Sequence, residues 1–388
     1  MRRIYLDNAA TSWPKPPAVY DAVDRWQREN GAPAGRGAYD EAAETDRLVA
    51  AARRRTAAVL GVADPKRLVF ALNGTDALHL AIQGLIRPGD HVVTTVVEHN
   101  SVLRPLHQLA ELRGVAVTHV GCNAAGVVAS DDLLRAVTSK TSLVVVSAAS
   151  NVTGALQPLE AGQELRRRGI PLVVDAAQTA GEIPIELDHD LPCCDLLAAP
   201  GHKGLLGPLG TGVLYVRPGL EDRLRSVRTG GTGTDSRSMA QPVAMPERYE
   251  AGNLNVPGIV GLNAATEFLL DRGLSALREH VVGLTTRLLE ALRSIERTTV
   301  YGPATADERV GVVSLNLEGY DPQELAAVLA TSFGIQVRAG LHCAPLMHRA
   351  LHTDRLGGTL RVSFGPFNTS DDVDVFVDAL RAAAANSG

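Results

Sequence analysis

The 388-residue sequence predicts an α/β protein, with a mainly parallel sheet covered by helices on both faces and a smaller C-terminal α+β domain. Three observations carry that expectation. The segments 91–96, 143–146, 171–174 and 212–216 are continuous β-branched or apolar runs rather than alternating ones, as strands buried on both faces should be. Helical stretches separate them, such as 76–84, where Leu78, Ile82 and Leu85 recur at helical spacing. Strand–helix alternation of this kind implies parallel strands with right-handed crossovers. After about residue 255 the texture changes. Helices are expected over 258–272 and 275–295, then a strand at 312–317, a helix near 321–333, a strand around 335–338 and a last strand at 359–364. The large domain is therefore expected over 16–257, and the small one over 1–15 and 258–388.

Composition narrows the function. Lys plus Arg number 38 and Asp plus Glu 43, a net charge of −5 that gives no footprint for nucleic acid or an anionic membrane. With 45% hydrophobic and 21% charged residues the chain reads as globular, and no run of 18 apolar residues predicts a membrane span. The opening Met1-Arg2-Arg3-Ile4-Tyr5-Leu6-Asp7 is basic but leads into no apolar stretch, so a secretory signal is not expected. Four cysteines, Cys122, Cys193, Cys194 and Cys343, form no C-x-x-C pair, which points to a reducing, cytoplasmic setting. Lysine is rare: only Lys15, Lys66, Lys140 and Lys203 occur, so an amine nucleophile has four candidates.

Ligands of open α/β sheets bind beyond the carboxyl ends of strands, and four polar clusters fall there. Asn73-Gly74-Thr75-Asp76 follows the strand expected at 67–71 and opens a helix, where free N–H groups and a hydroxyl suit a phosphate. Asn73 or Thr75 could equally cap that helix. Glu98-His99 follows 91–96, and His99 offers a flat ring that could stack on a flat cofactor or simply be a satisfied structural histidine. Asp175 ends the strand at 171–174, with Gln178 one turn on. A carboxylate there needs a cap to make or a cationic partner, such as a protonated pyridinium. Gly201-His202-Lys203 follows 196–199, and Lys203 lies among small residues rather than on a charged surface. The glycine-rich run 207–212 precedes a strand rather than opening a helix, so it reads as a turn; 230–235 reads as a surface loop. An amine, an acidic partner, a stacking ring and a phosphate loop together describe a pyridoxal phosphate site.

The second domain adds Arg338-Ala339-Gly340-Leu341-His342-Cys343-Ala344-Pro345. Pro345 suits the first turn of a short helix. That places Cys343 near a helix N-terminus and beside His342, two features that favour a thiolate. Cys122, Cys193 and Cys194 read as core filler. Arg361 lies inside the last strand, where an arginine needs an anion: a substrate carboxylate or an internal ion pair.

Together these motifs resemble the class V aminotransferase family and, within it, the group II (Suf-type) cysteine desulfurases and selenocysteine lyases. The resemblance runs from Tyr5-Leu6-Asp7-Asn8-Ala9-Ala10-Thr11 through Glu98-His99-Asn100, Ser150-Asn151-Val152-Thr153-Gly154, Val174-Asp175-Ala176-Ala177-Gln178, Gly201-His202-Lys203 and Glu250-Ala251-Gly252-Asn253 to the Arg338 and Arg361 segments. It implies pyridoxal-phosphate-dependent transferase fold type I and a homodimer with shared active sites. Lys203 would bind the cofactor covalently and move the substrate α-proton. Asp175 would hold the ring nitrogen protonated while His99 stacks on the ring. Asn151 and Gln178 would bond the ring hydroxyl oxygen, and Gly74, Thr75, His202 and a partner's Asn253 would hold the phosphate. Arg361 would clamp the substrate carboxylate, with Arg338 and Asn151 also on the substrate. Cys343 would take sulfur from L-cysteine as a persulfide, leaving alanine, and pass it to an acceptor protein.

Two positions depart from the family pattern. Pro200 stands where a phosphate-binding serine is common, and Asn253 where a threonine is usual, which leaves room for a specialised rather than a housekeeping enzyme. The competing readings are a selenocysteine lyase, a C–S β-lyase releasing pyruvate, a transaminase, or a non-catalytic protein that only binds the cofactor.

Overall fold

In the computed structural model, which describes residues 2–35, 37–185, 187, 194–234 and 237–386, the strands run in chain order as follows. They are β1 (Ile4–Tyr5), β2 (Leu68–Ala71), β3 (His91–Thr95), β4 (Ala116–Val120), β5 (Thr141–Ser147), β6 (Leu172–Asp175), β7 (Leu196–Pro200) and β8 (Gly212–Val216). The second half adds β9 (Thr298–Tyr301), β10 (Val312–Leu317), β11 (Ile335–Gln336), β12 (Arg338–Gly340) and β13 (Thr359–Ser363).

Strands β2 to β8 form one sheet in the order β2-β8-β7-β6-β5-β3-β4. All are parallel except β8, which runs against both β2 and β7 because the turn after Gly207 folds the chain straight back. Successive residues of the central strands serve two different cores. Val144, Val146, Val174, Leu197 and Val213 face one, under helices Pro17–Glu29, Asp40–Val59, Ala161–Arg167 and Val256–Arg272. Leu143, Val145, Val173, Leu196 and Leu214 face the other, under Gly74–Leu85 and Asn100–Arg113. Burial on both faces is what the unbroken apolar runs require. The carboxyl ends of β2, β3, β5, β6 and β7 consequently share one edge of the sheet, where polar side chains can gather without entering either core.

The remainder builds an antiparallel sheet β12-β13-β10-β9 beside the parallel pair β1-β11. Helices Leu274–Leu292, Pro322–Phe333 and Ser370–Asn386 close over it, burying Leu284, Leu288, Leu329, Phe376 and Leu380 against Leu6, Leu315, Leu360 and Val362. Two expectations need correction. The strand expected around 335–338 is two strands in different sheets, since Ile335 and Gln336 pair with β1 while Arg338 pairs with Arg361 of β13. The chain changes partner at Val337. Helix Val256–Arg272, assigned mostly to the small domain by the expected break at 257/258, packs instead with the large sheet. Its Ile259, Val260, Leu262, Ala265 and Leu269 lie in that core. Among the described residues no helix is long and apolar enough to cross a membrane, and no cluster of His, Cys, Asp or Glu could hold a metal ion.

Candidate active site

A pocket of about 220 Å³ opens at the shared strand edge and reaches under the small sheet. At one end it is lined by Asn73, Gly74, Thr75, Pro200 and His202. Asn73 caps helix Gly74–Leu85, its Oδ1 accepting from Asp76 N at 2.9 Å. Capping is therefore done by Asn73 and not by Thr75, whose Oγ1 lies 2.7 Å from Ser101 Oγ at the start of the next helix. Gly74 has a physical reason to be glycine: a Cβ there would sit 3.1 Å from Pro200 Cδ. His202 Nδ1 is buried without a partner. Burial, then the charges of Lys203 and Lys15, pull His202 down to about 4, so its ring is neutral at pH 7. Helix-end N–H groups, two hydroxyls and an unpaired ring nitrogen at one spot suit a phosphate group.

Mid-pocket, Lys203 follows β7 on a loop held from below. Ser12 Oγ donates to the carbonyls of His202 and Lys203, and Lys15 Nζ donates to His202 O at 2.8 Å. Burial pulls the Lys203 ammonium down to about 8, against the opposing pull of Asp175 and with help from Arg361 and Arg338. Asp175, at the tip of β6, is 5% exposed and accepts from Ala177 N at 2.9 Å. It therefore tightens the following turn as well as facing the pocket. Burial pushes its pKa up, and the Ala177 N–H and Lys203 oppose that. A buried carboxylate with a single backbone donor still has acceptor capacity for a protonated ring nitrogen.

His99 has both of the roles weighed for it: it lines the pocket, and it caps helix Asn100–Arg113, Nδ1 accepting from Ser101 N at 3.0 Å. Burial and the cations around it, Lys203 first, pull it to about 4. Gln178 Nε2 donates to Ala9 O at 3.2 Å, and Asn151 Nδ2 donates to His342 O at 2.7 Å.

The small domain supplies the far wall. His342 and Cys343 both adopt left-handed backbone, φ 46° and 59°, immediately before helix Pro345–Ala350. Such residues are strained unless neighbours hold them. Here Asn151 Nδ2 and Asn100 N grip the carbonyls of His342 and Cys343, both at 2.7 Å. The expected help from His342 to the thiol is corrected by its surroundings. His342 is 3% exposed, its Nε2 lies 3.1 Å from the carbonyl and hydroxyl of Thr359, and burial drives its pKa well down. A neutral, inward-turned imidazole cannot serve as the cation beside the sulfur. Arg338 takes that place, with Nη2 at 3.8 Å from Cys343 Sγ. Arg361 is 1% exposed and makes the internal ion pair, Nη2 to Asp7 Oδ1 at 2.8 Å, while also lining the pocket.

The structure thus brings together Gly74, Thr75, His99, Asn151, Asp175, Gln178, His202, Lys203, Arg338, Cys343 and Arg361. Asn253 is not among them and lies exposed on the surface. Cys194 is buried, its thiol 3.1 Å from Leu196 O and pushed up by burial, and half-buried Cys122 is likewise pushed up, as core thiols should be. Cys193 and Asp235 lie outside the described residues. Sequence reasoning missed Ser101, Ser147 and Asp7 as site residues. Ser101 was within reach, because it sits at the helix start that His99 opens.

Lysine, buried carboxylate, flat neutral ring and anion cradle lie in one pocket of a doubly covered α/β sheet, and these residues fit pyridoxal phosphate. The chain belongs to the class-V aminotransferase family, whose model matches residues 4–376, and is an enzyme that uses that cofactor. It is 35% identical over 387 residues to a probable cysteine desulfurase of Methanothermobacter thermautotrophicus, covering 98% of this chain and 94% of that one. The apo structure of the cysteine desulfurase from Thermococcus onnurineus NA1 superposes with a TM-score of 0.92 at 31% identity, covering 99% of this chain and 95% of that one. The Escherichia coli cysteine desulfurase CsdA gives a TM-score of 0.88 at 29% identity, covering 98% and 94%.

Proposed function

We propose that this enzyme is a cysteine desulfurase that converts L-cysteine to L-alanine and carries the sulfur on Cys343. The observation that supports it most directly is the placement of Cys343, on a turn from the small domain, in the same pocket as Lys203 and Asp175. A transaminase needs no thiol there.

Gly74, Thr75 and His202 would hold the cofactor phosphate, Asp175 its ring nitrogen, and Asn151 with Gln178 its ring oxygen, while His99 covers the ring. The cofactor supplies an electron sink for bond breaking at the amino acid. Arg361 orients the substrate carboxylate, with Arg338 and Asn151 beside it. Lys203, whose amine gives up its proton near pH 8, moves the α-proton. Cys343 Sγ, as thiolate, attacks the substrate sulfur. An S–S bond forms, the Cβ–S bond breaks with its electron pair left on carbon, and protonation of that carbon gives alanine. The persulfide on Cys343 is then released by an acceptor thiol. Cys343 is half-buried beside the exposed Leu341, which leaves the sulfur within reach of an acceptor protein.

Asn253, exposed and away from its own pocket, supports a homodimer in which it reaches the partner's phosphate site. The described cysteines are all free, in keeping with a reducing cytoplasm.

Cofactor-loaded protein given L-cysteine and a thiol reductant should yield alanine and sulfide, and Cys343→Ala should abolish both. Pyruvate and ammonia in their place, unaffected by Cys343→Ala, would replace the desulfurase with a β-lyase.

A further inference from the structure

We propose that Asp7 is a positioning residue that weakens the hold of Arg361 on the carboxylate common to substrate and product, and so limits inhibition by alanine. The proposal rests on the desulfurase reading above for its meaning, though not for its test.

Arg361 sits in the middle of β13, with Ser314 and Arg338 as its cross-strand neighbours. Its guanidinium meets one carbonyl, Asn151 O at 3.1 Å from Nη1, and one anion, Asp7 Oδ1 at 2.8 Å from Nη2; its Nε is buried without a partner. An arginine fork with free N–H groups is a strong carboxylate binder. The backbone that carries Asp7 is held in place. The Asp7 backbone bridges to Ser363, its carbonyl accepts from Ala10 N and from the Tyr5 hydroxyl, and Ser363 N donates to Leu6 O at 2.7 Å. The counter-charge thus rises from an anchored stretch of backbone, its carboxylate bonded to Arg361.

The consequence follows from the chemistry. L-Cysteine and L-alanine carry the same carboxylate and amine and differ only at sulfur. Binding energy spent on the common part holds product as firmly as substrate and lowers no barrier. A buried guanidinium facing the incoming carboxylate alone would bind both tightly. With Asp7 already bonded to Nη2 at 2.8 Å, each carboxylate that joins the same guanidinium enters against a like charge, worth about tenfold in affinity in a partly screened site.

The test uses cofactor-loaded enzyme, following the change in cofactor absorbance as L-alanine or L-alaninamide is added. Asp7→Asn should tighten L-alanine about tenfold and leave L-alaninamide, which lacks the carboxylate, unchanged. The KM for L-cysteine should fall in step. Asp7→Ser, which also removes the charge, must shift alanine in the same direction, and it serves if Asp7→Asn does not fold. An unchanged or weakened alanine affinity overturns the proposal, and so does a parallel shift for alaninamide, which would mark a purely structural role. Failure of the desulfurase reading looks different: the parent enzyme would then make no alanine from cysteine, while the two titrations would still read the Asp7 effect.

Discussion

Glu98 offers the sharpest test of the electrostatics beneath the pocket. It is wholly buried one residue before His99, and among the described residues no cation counts among the causes of its raised pKa. Its Oε1 accepts from Thr95 Oγ1 at 2.6 Å and from Ser147 N at 3.1 Å, and its Oε2 from Ser147 Oγ at 2.7 Å. Burial outweighs these bonds and, with the Asp175 charge adding, pushes the carboxyl from 4.5 to about 7. At 1.36 kcal/mol per tenfold change in proton affinity, that displacement costs the folded state about 3 kcal/mol once both states are ionised. The sign is set by which state ionises first. Below pH 4.5 the group is protonated folded or unfolded and there is no cost. Stability is then lost as pH rises from 4.5 through about 7, because the unfolded chain gives up the proton earlier. Glu98→Gln removes the titration while keeping the shape: the amide oxygen can accept from Thr95 and Ser147 N, and the amide nitrogen can donate to Ser147 Oγ. Urea unfolding of the apoproteins at pH 5 and pH 8 should therefore show the variant gaining about 1–3 kcal/mol on the parent over that interval. A difference between the two proteins that is the same at both pH values would refute the reasoning, since only Glu98 distinguishes them.

Two further substitutions probe how the pocket is held. Arg309 is fully buried and donates to the carbonyls of Val312, Tyr301 and Pro303, so Arg309→Ala strands acceptors in the seam beside the Asn151 loop. It should cost about 3–5 kcal/mol in urea unfolding; a loss under 1 kcal/mol would mean that the seam reorganises. Gly181, at φ +81°, approaches the residue after Lys203 so closely that a Cβ would lie 2.3 Å from Gly204 O. Gly181→Ala should cost about 2–4 kcal/mol and loosen cofactor binding, measured by equilibrium dialysis, because the displaced loop carries Lys203.

The large sheet was legible because β5 to β8 are buried on both faces and leave unbroken apolar runs in the sequence. The residues at their tips were legible for the same reason, as polar groups stranded where a core ends. Less visible was anything that depends on which strand lies beside which. Nothing local in the segment 335–340 marks Val337 as the point where the chain leaves β1 for β13. The helix Val256–Arg272 follows the loop that would end a domain, yet its apolar face matches the large sheet, and only packing decides that. The sense in which His342 turns was equally hidden. Its neighbours in sequence, Cys343 and the helix that Pro345 opens, suggested a histidine that assists the thiol, while Thr359, seventeen residues on, offers the buried acceptor that draws the ring inward.

That inward turn changes how the sulfur chemistry must be understood. Arg338 and Arg361 stand directly opposite one another on β12 and β13, and like charges in that relation repel. Each has a different partner to answer it. Arg361 has Asp7 at 2.8 Å, and Arg338 extends a guanidinium N–H to the sulfur of Cys343 at 3.8 Å. The fold thus sets two cations side by side on the pocket wall, one paired to Asp7 and the other beside the Cys343 thiol. In the proposed desulfurase reaction, charge developing on either sulfur would form next to a guanidinium already in place, so no side chain would have to be recruited as the S–S bond is made. The turn that presents Cys343 is itself anchored to the large domain through Asn100 and Asn151. The separation between thiol and cofactor site is therefore fixed by the seam between the two domains, and a change in that seam would reach the chemistry without touching any reacting group.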